Sequence, residues 1–232
     1  MKLAILAAGK GTRMLPLTKK RPKPLLKVNK RPFLYYLLKN VKAAGFSDIS
    51  LVVGYKGKMI KDWANKNNYN ITFVKQEKQN GTAHAISKLK SWSGKEDFAA
   101  VTGDNLFSPN DLKKLKENDN FCYVLGQKKD PRKKFGELIF DNKHLLKEIK
   151  EKPKIKHTGI INTGAYKFTN DIFDAIKKID ISKRGELEIT DALTLLAKEK
   201  KVKVKILDDY WIDFGSKEDI GPTEKFVKKN FI

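Results

Sequence analysis

Apolar residues fall in two rhythms along this chain. After Lys2 the segment Lys2–Ala8 (KLAILAA) is apolar throughout and is ended by Gly9, the pattern of a strand covered on both faces. Arg31–Ala44 places Phe33, Leu34, Leu37, Leu38 and Val41 at helical spacing and stops at Gly45. Asp48–Val53 predicts a second strand, Lys58–Lys66 a short helix, and Asn70–Lys75 a third strand. Gly81–Leu89 opens on a Gly-Thr turn and continues as a helix, and Phe98–Thr102 is a fourth buried strand closed by Gly103-Asp104. Strand–helix alternation of this kind predicts an open, largely parallel sheet with helices on both faces.

The second half changes rhythm. Phe121–Gly126, Glu137–Phe140 and Ile160–Phe168 are β-like, with few helices between them. Ile172–Ile179 and Ile189–Lys200 read as helices, the latter with Ile189, Ala192, Leu193, Leu196 and Ala197 on one face. Val202–Leu207 is a strand, Tyr210–Phe214 a short aromatic run and Ser216–Val227 a closing helix. Nothing repeats at a fixed period and no low-complexity linker divides the chain. The pattern predicts one unit, a nucleotide-fold half and a second half that completes its cleft.

Composition narrows the class. The 232 residues are 40% hydrophobic, enough for a sizeable core. A lone cysteine, Cys122, excludes an intramolecular disulfide and a thiolate metal cluster, and reads as a small buried hydrophobe. With a reduced thiol and no secretory leader, the expected compartment is the cytoplasm. The opening apolar run is cut off by Gly9, Lys10, Gly11 and Arg13, far short of a membrane span.

The charge balance is lopsided, 49 basic against 27 acidic residues for a net +22. Only five of the basic residues are arginine, and the lysines are spread over the whole chain. Bidentate phosphate and base recognition favours clustered arginine, whereas solvated helix faces are filled with lysine. The excess therefore reads as a solvated surface with a general attraction for anions, and a specific nucleic-acid partner is not expected.

The candidate chemistry begins where the first strand ends. Glycines at 9 and 11 can let main-chain N–H groups approach an anion that Arg13 and Lys23 would neutralise, although an ordinary tight turn and a surface lysine in a Pro-rich loop also account for them. The segment is neither a GxxxxGK[ST] loop nor a GxGxxG fingerprint. Asp104 and Asp213 each follow a β-like run, where ligands gather in α/β sheets, and a pair of carboxylates from separate segments suits Mg²⁺. No Ser–His–Asp grouping is evident, and the histidines are three: His84, His144 and His157. Gln76 offers both an amide donor and an acceptor to a base edge, although solvation of a strand end also accounts for it and for Gln79. Glu186 and Glu188 read first as helix N-terminal acids, Trp211 and His84 as structural, and Glu151-Lys152 as the end of a solvated charge run.

Leu6–Pro24 (LAAGKGTRMLPLTKKRPKP) closely resembles the opening of the sugar-1-phosphate nucleotidyltransferases, also called nucleoside-diphosphate-sugar pyrophosphorylases. The resemblance continues in order through Gln76, Gln79 and Gly81–Ala85 (GTAHA), Gly103-Asp104, Phe135-Gly136, Glu151–Pro153, Asn162–Gly164, Gly185–Asp191 (GELEITD) and Trp211–Gly215 (WIDFG). It implies an α/β, Rossmann-like open sheet, mostly parallel but mixed and flanked by helices, as a single domain over 1–232. Residues to about 105 would bind nucleotide and those from about 106 the sugar. The implied reaction joins a nucleoside triphosphate and a sugar 1-phosphate into a nucleotide-sugar and pyrophosphate by in-line attack, without an enzyme nucleophile.

The same resemblance distributes roles among the residues. Arg13, Lys23 and Asp104 would be catalytic, with Arg13 on the leaving pyrophosphate and Lys23 near the reacting phosphates. Leu6, Ala8, Gly9, Gly11, Thr12, Arg13, Gln76, Gly81 and Thr82 would bind the nucleotide, with Gln76 and Gly81 reading uracil or thymine. Gly136, Glu151, Lys152 and Asn162 would hold the sugar phosphate, and Asp104 with Asp213 would hold Mg²⁺. UTP or dTTP and glucose 1-phosphate are the implied substrates, with N-acetylglucosamine 1-phosphate second. Guanylyl transfer to mannose 1-phosphate, cytidylyl transfer and a non-catalytic nucleotide-sugar sensor are the alternatives. Several relatives continue into a β-helix acyltransferase domain, absent from these 232 residues, so a stand-alone transferase is expected. The resemblance also implies homo-oligomers.

Overall fold

The four parallel strands of the first half end at the same edge of one sheet. The computed structural model describes residues 1–129, 135–151 and 158–231. The first half runs β1 (Lys2–Ala7), α1 (Leu17–Lys20), β2 (Lys27–Val28), β3 (Arg31–Pro32), α2 (Phe33–Ala43), β4 (Ile49–Val53), α3 (Gly57–Lys66), β5 (Thr72–Lys75), α4 (Thr82–Ser87), α5 (Lys90–Ser93) and β6 (Phe98–Thr102). The second runs β7 (Asn105–Phe107), α6 (Pro109–Lys113), β8 (Cys122–Lys129), β9 (Gly136–Phe140), β10 (Leu146–Glu151), β11 (Gly159–Phe168), α7 (Ile172–Ile176), α8 (Ile189–Lys198), β12 (Val202–Ile206), β13 (Trp211–Asp213) and α9 (Ile220–Asn230).

β5, β4, β1 and β6 lie side by side and parallel. β11 joins β6 antiparallel and carries the sheet into the second half, where β9 and β10 lie on one side and β8 and β12 on the other. The result is a nine-stranded mixed sheet, continuous across the boundary near residue 105. β11 pairs with β8 along one edge, with a register shift between Asn162 and Tyr166, and on its other edge with β9 at Ile161 and then with β6 from Ala165 to Phe168. Gly164 sits in that irregularity at φ +82°, where any side chain would also collide with Thr102.

Alternation along β1 explains its unbroken apolar sequence. Leu3, Ile5 and Ala7 pack with Leu34, Leu37 and Val41 of α2 on one face of the sheet. Ala4 belongs to the opposite cluster, built from Ile86, Phe173, Leu193 and Leu196 of the α4, α7 and α8 side. Both faces are covered, so neither face of the strand needs polar residues.

The differences from the sequence reading are local. Leu146–Glu151 is a strand, whereas its charges read as a solvated run, because only one face of this sheet-edge strand is covered. Asn105–Phe107 and Trp211–Asp213 are three-residue strands that pair with each other apart from the main sheet. The closing helix begins as a 3₁₀ turn, Lys217–Asp219, under a Ser216–Asp219 capping box before α9 takes over. α6 was not evident from spacing; Ser108 caps it and Pro109 starts it.

The turn leading into β13 is held by one buried carboxylate. Asp111, fully buried, accepts from Ser108 Oγ at 2.8 Å and from the Asp208 and Asp209 main-chain N–H groups at 2.9 and 3.1 Å, with Lys114 Nζ at 2.9 Å. Burial alone would raise its pKa, but these N–H groups and the lysine outweigh it and hold the carboxyl below its ordinary range. A depressed folded pKa contributes stability above the unfolded value, and that contribution is lost as pH falls through the folded one. Asp111→Asn is therefore expected to cost about 3 kcal/mol at pH 7. In urea denaturation the gap from the wild type should shrink below roughly pH 4; a gap independent of pH would show that the charge is not its source.

Candidate active site

The chain order of the parallel strands fixes where a ligand can sit. From β1 the chain moves outward to β4 and β5, then returns to the other side of β1 as β6. At such a reversal the loops leaving the two central strands diverge and open a crevice beyond their carboxyl ends. A cleft of about 300 Å³ lies there. Leu6, Ala8, Gly9, Gly11, Thr12 and Arg13 line it from the loop after β1, Gln76, Gly81 and Thr82 from beyond β5, and Asp104 from the turn after β6. Lys23 also lines it, so every residue assigned to nucleotide or catalysis from sequence borders one space.

The glycine loop is pinned rather than loose. Thr18 Oγ1 and the Met14 main-chain N–H both donate to the Gly11 carbonyl, at 3.0 and 2.9 Å, and Tyr55 donates to the Thr18 carbonyl at 2.9 Å. Gly11 takes φ +64°, and a Cβ there would crowd Thr18 and Lys23. Gly9 differs from expectation: its φ is not in the left-handed region and nothing lies within 4 Å of a Cβ built on it. Its lack of a side chain leaves room in the cleft instead of relieving the backbone.

Lys23 is nearly buried and extends along the cleft floor. Its Nζ donates to Asp104 Oδ2 at 2.8 Å and to the Gly215 carbonyl at 3.3 Å. Burial would raise the Asp104 carboxyl, but Lys23, Thr102 and Arg13 outweigh it and hold it below the usual carboxylate range. Asp104 is thus an anion locked to a cation.

Asn105 fixes the other oxygen. Its Nδ2 donates to Asp104 Oδ1 at 3.1 Å and to Thr102 Oγ1 at 2.6 Å, while its Oδ1 accepts from Trp211 Nε1 at 2.7 Å. Trp211, read from sequence as core, is half-buried and acts through Asn105 on the acidic turn. The β7–β13 register sets Asp213 opposite Asn105, and Phe214 N donates to the Asp104 carbonyl at 2.8 Å. Asp104 and Asp213 therefore belong to neighbouring strand ends, although Asp213 is not among the residues lining the cleft. Among the described residues no group of three or more His, Cys, Asp or Glu is assembled around a metal position. Two hard carboxylate donors without a full protein cage fit Mg²⁺, which completes its shell with phosphate and water.

At the other end, Gln76 is buried against the start of α4. Its Nε2 lies 3.1 Å from the Gly81 carbonyl and 3.0 Å from His84 Nδ1. Gly81 takes φ +99° and lies so close to Leu187 that a Cβ would overlap that residue's main chain. Ala83 N donates to the Leu187 carbonyl, Leu187 N to the Asn80 carbonyl, and Ile189 N to Thr82 Oγ1, each at 2.9 Å. The segment before α8 thus clamps the loop, and it sends Glu186 to the cleft. Glu188, by contrast, is a buried residue at the α8 N-terminus paired with Arg184 at 2.8 Å.

The residues assigned to the sugar form a separate group. β9 and β10 set Gly136 opposite Glu151, so close that a Cβ on Gly136 would meet the carboxylate at 3.1 Å. Asn162 donates to the Tyr166 hydroxyl at 2.9 Å and accepts from Gly164 N at 3.0 Å. Burial pushes Tyr166 well above its ordinary pKa, and the carboxylates of Glu151, Glu188 and Asp104 push it further. Arg184 bridges toward Glu151 at 3.7 Å as well as Glu188; nothing in the sequence spacing marked it. Lys152 lies outside the described residues.

Known proteins resemble this chain in sequence and in fold. The chain is 37% identical over 229 residues to the "Bifunctional protein GlmU" of Methanocaldococcus jannaschii, covering 98% of this chain and 54% of that protein. It is 36% identical over 238 residues to the "Bifunctional sugar-1-phosphate nucleotidylyltransferase/acetyltransferase" of Sulfurisphaera tokodaii, covering all of this chain and 57% of that one. The chain thus spans about half the length of these relatives. The crystal structure of a UDP-glucose pyrophosphorylase complexed with UDP-glucose superposes with a TM-score of 0.87 at 25% identity, covering 98% of both chains. No described helix is long and apolar enough to cross a membrane. Residues 2–230 match the model of the nucleotidyl transferase family, and the chain belongs to that family.

Proposed function

We propose that the chain transfers a uridylyl or thymidylyl group from UTP or dTTP to a hexose 1-phosphate, glucose 1-phosphate first and N-acetylglucosamine 1-phosphate second. The observation that carries the reading is the Lys23–Asp104 ion pair at the floor of a cleft whose far end is the Gln76–Gly81 loop. That spacing suits a triphosphate laid from the glycine loop toward the acidic turn, with its base against Gln76. The printed names of the relatives, a sugar-1-phosphate nucleotidylyltransferase and a UDP-glucose pyrophosphorylase, support the same chemistry.

In this mechanism an oxygen of the sugar phosphate attacks the α-phosphorus. The bond from that phosphorus to the bridging oxygen breaks, and pyrophosphate leaves with the electron pair. The protein forms no covalent bond, so its work is positioning and charge stabilisation. Arg13, exposed at the mouth of the cleft, would take the departing phosphates. Lys23 would screen charge at the reacting phosphorus from a position that Asp104 and the Gly215 carbonyl have already set. Asp104 and Asp213 would hold Mg²⁺, which when bound neutralises phosphate oxygens. Glu151, Asn162 and Gly136 would contact sugar hydroxyls, where a carboxylate left without its partner discriminates strongly. Lys152 would join them at the sugar phosphate.

Pyrophosphate release measured across UTP, dTTP, CTP, GTP and ATP, each with glucose, N-acetylglucosamine, galactose and mannose 1-phosphates, tests the reading. Turnover with UTP or dTTP that EDTA abolishes is the expected result. Silence across every pair in folded protein would sink it. Lys23→Ala should lower kcat by roughly 10²–10³-fold; turnover within a few-fold of wild type would remove Lys23 from the mechanism.

A further inference from the structure

Gln76 is only 3% exposed, yet it borders the cleft. The atoms around its amide dictate which way that amide faces. The Gly81 carbonyl oxygen, 3.1 Å away, can only accept, so the Gln76 atom facing it is the NH₂ group. An amide nitrogen can only donate, so His84 Nδ1, 3.0 Å from the same atom, is the acceptor. The ring is then neutral with its proton on Nε2. Burial and the nearby Lys88 lower the His84 pKa, in keeping with a neutral ring, although a hydrogen bond to the Lys78 main chain opposes them. Both N–H bonds of Gln76 are engaged inside the protein. Oε1 has no hydrogen-bond partner among the described residues and is not fully enclosed, and Gln76 lines the cleft.

We propose that His84 is a positioning residue for base selection: by accepting from Gln76 it locks the amide with Oε1 outward, so that the cleft takes bases presenting a ring N–H. Uracil and thymine at N3, and guanine at N1, present a donor to such an oxygen. Cytosine at N3 and adenine at N1 present an acceptor, which meets Oε1 with like polarity. An amide free to turn would present NH₂ and lose that distinction. The proposal rests on reading residues 76–85 as the base-binding loop. It revises the expectation that Gln76 offers a donor and an acceptor together, and the expectation that His84 is merely structural.

The test compares kcat/KM for the five nucleoside triphosphates in wild type, His84→Asn and His84→Leu. Asn supplies an acceptor near the place of Nδ1, whereas Leu fills the volume without one. The wild type should prefer UTP, dTTP or GTP over CTP and ATP. His84→Asn should keep the UTP-to-CTP ratio within a few-fold, and His84→Leu should lower it about tenfold, mainly through KM. A wild-type ratio in His84→Leu would overturn the role of His84. A wild type indifferent to the ring N–H would overturn the orientation of Gln76. Preference for GTP alone would instead count against the UTP or dTTP reading and leave the His84 proposal standing. Ring ¹⁵N shifts of His84 in the wild type serve as a second measurement that needs no variant to fold: the Nε2–H tautomer is expected, and the Nδ1–H tautomer would overturn the proposal.

Discussion

The ion pair between Lys23 and Asp104 holds the cleft together as much as it equips it. The two residues are 81 positions apart and meet at 2.8 Å, and Lys23 reaches the Gly215 carbonyl as well. Three chain segments, the one after α1, the turn after β6 and the one after β13, are therefore tied at one point. Charges taken out of water are tolerated only when their remaining valences are met. That requirement explains Asn105, which serves the second oxygen of Asp104, and Trp211, which holds Asn105 in turn. The glycine loop is drawn into the same arrangement, because Gly11 lies so near Lys23 and Thr18 that a Cβ there would crowd both.

The sheet supplies what the ion pair cannot, namely two strand ends that part from each other. β1 and β6 are parallel neighbours, but the chain leaves them toward different sides. Polar groups that follow them converge on a crevice without any one segment having to fold back on itself. The second half repeats the device less regularly. There the register of β11 against β8 shifts between Asn162 and Tyr166, whose side chains stay in contact.

How much of this could be read in the sequence depended on what each residue answers to. β1, β4, β6, α2 and α8 were legible because burial on a sheet or helix face imposes a period on many residues at once. Arg13, Lys23 and Asp104 were singled out by the glycine turn, their charge and the family resemblance, and all three border the cleft. β7 was not legible and β13 only as a short β-like run at Asp213, since strands of three residues exist only through pairing with each other. β10 was hidden because, of its six residues, only Leu146 and Ile149 are apolar. Asn105, Trp211, His84 and Arg184 act through other side chains, and no spacing within the chain announces such a partner. Gly9 and Gly11 looked alike in sequence, yet one is required by the backbone and the other leaves space.

The bond from Trp211 to Asn105 has an optical consequence. An indole whose N–H is held by a polar partner changes its emission when that partner's field changes, and here the partner touches the carboxylate at the cleft floor. The other two tryptophans sit elsewhere, Trp63 stacked on Tyr69 and Trp92 beside Phe98 and Lys2. Of the three tryptophans, Trp211 is thus the one linked through a single side chain to the Asp104 carboxylate, so a change of charge at the acidic turn would reach its indole through Asn105.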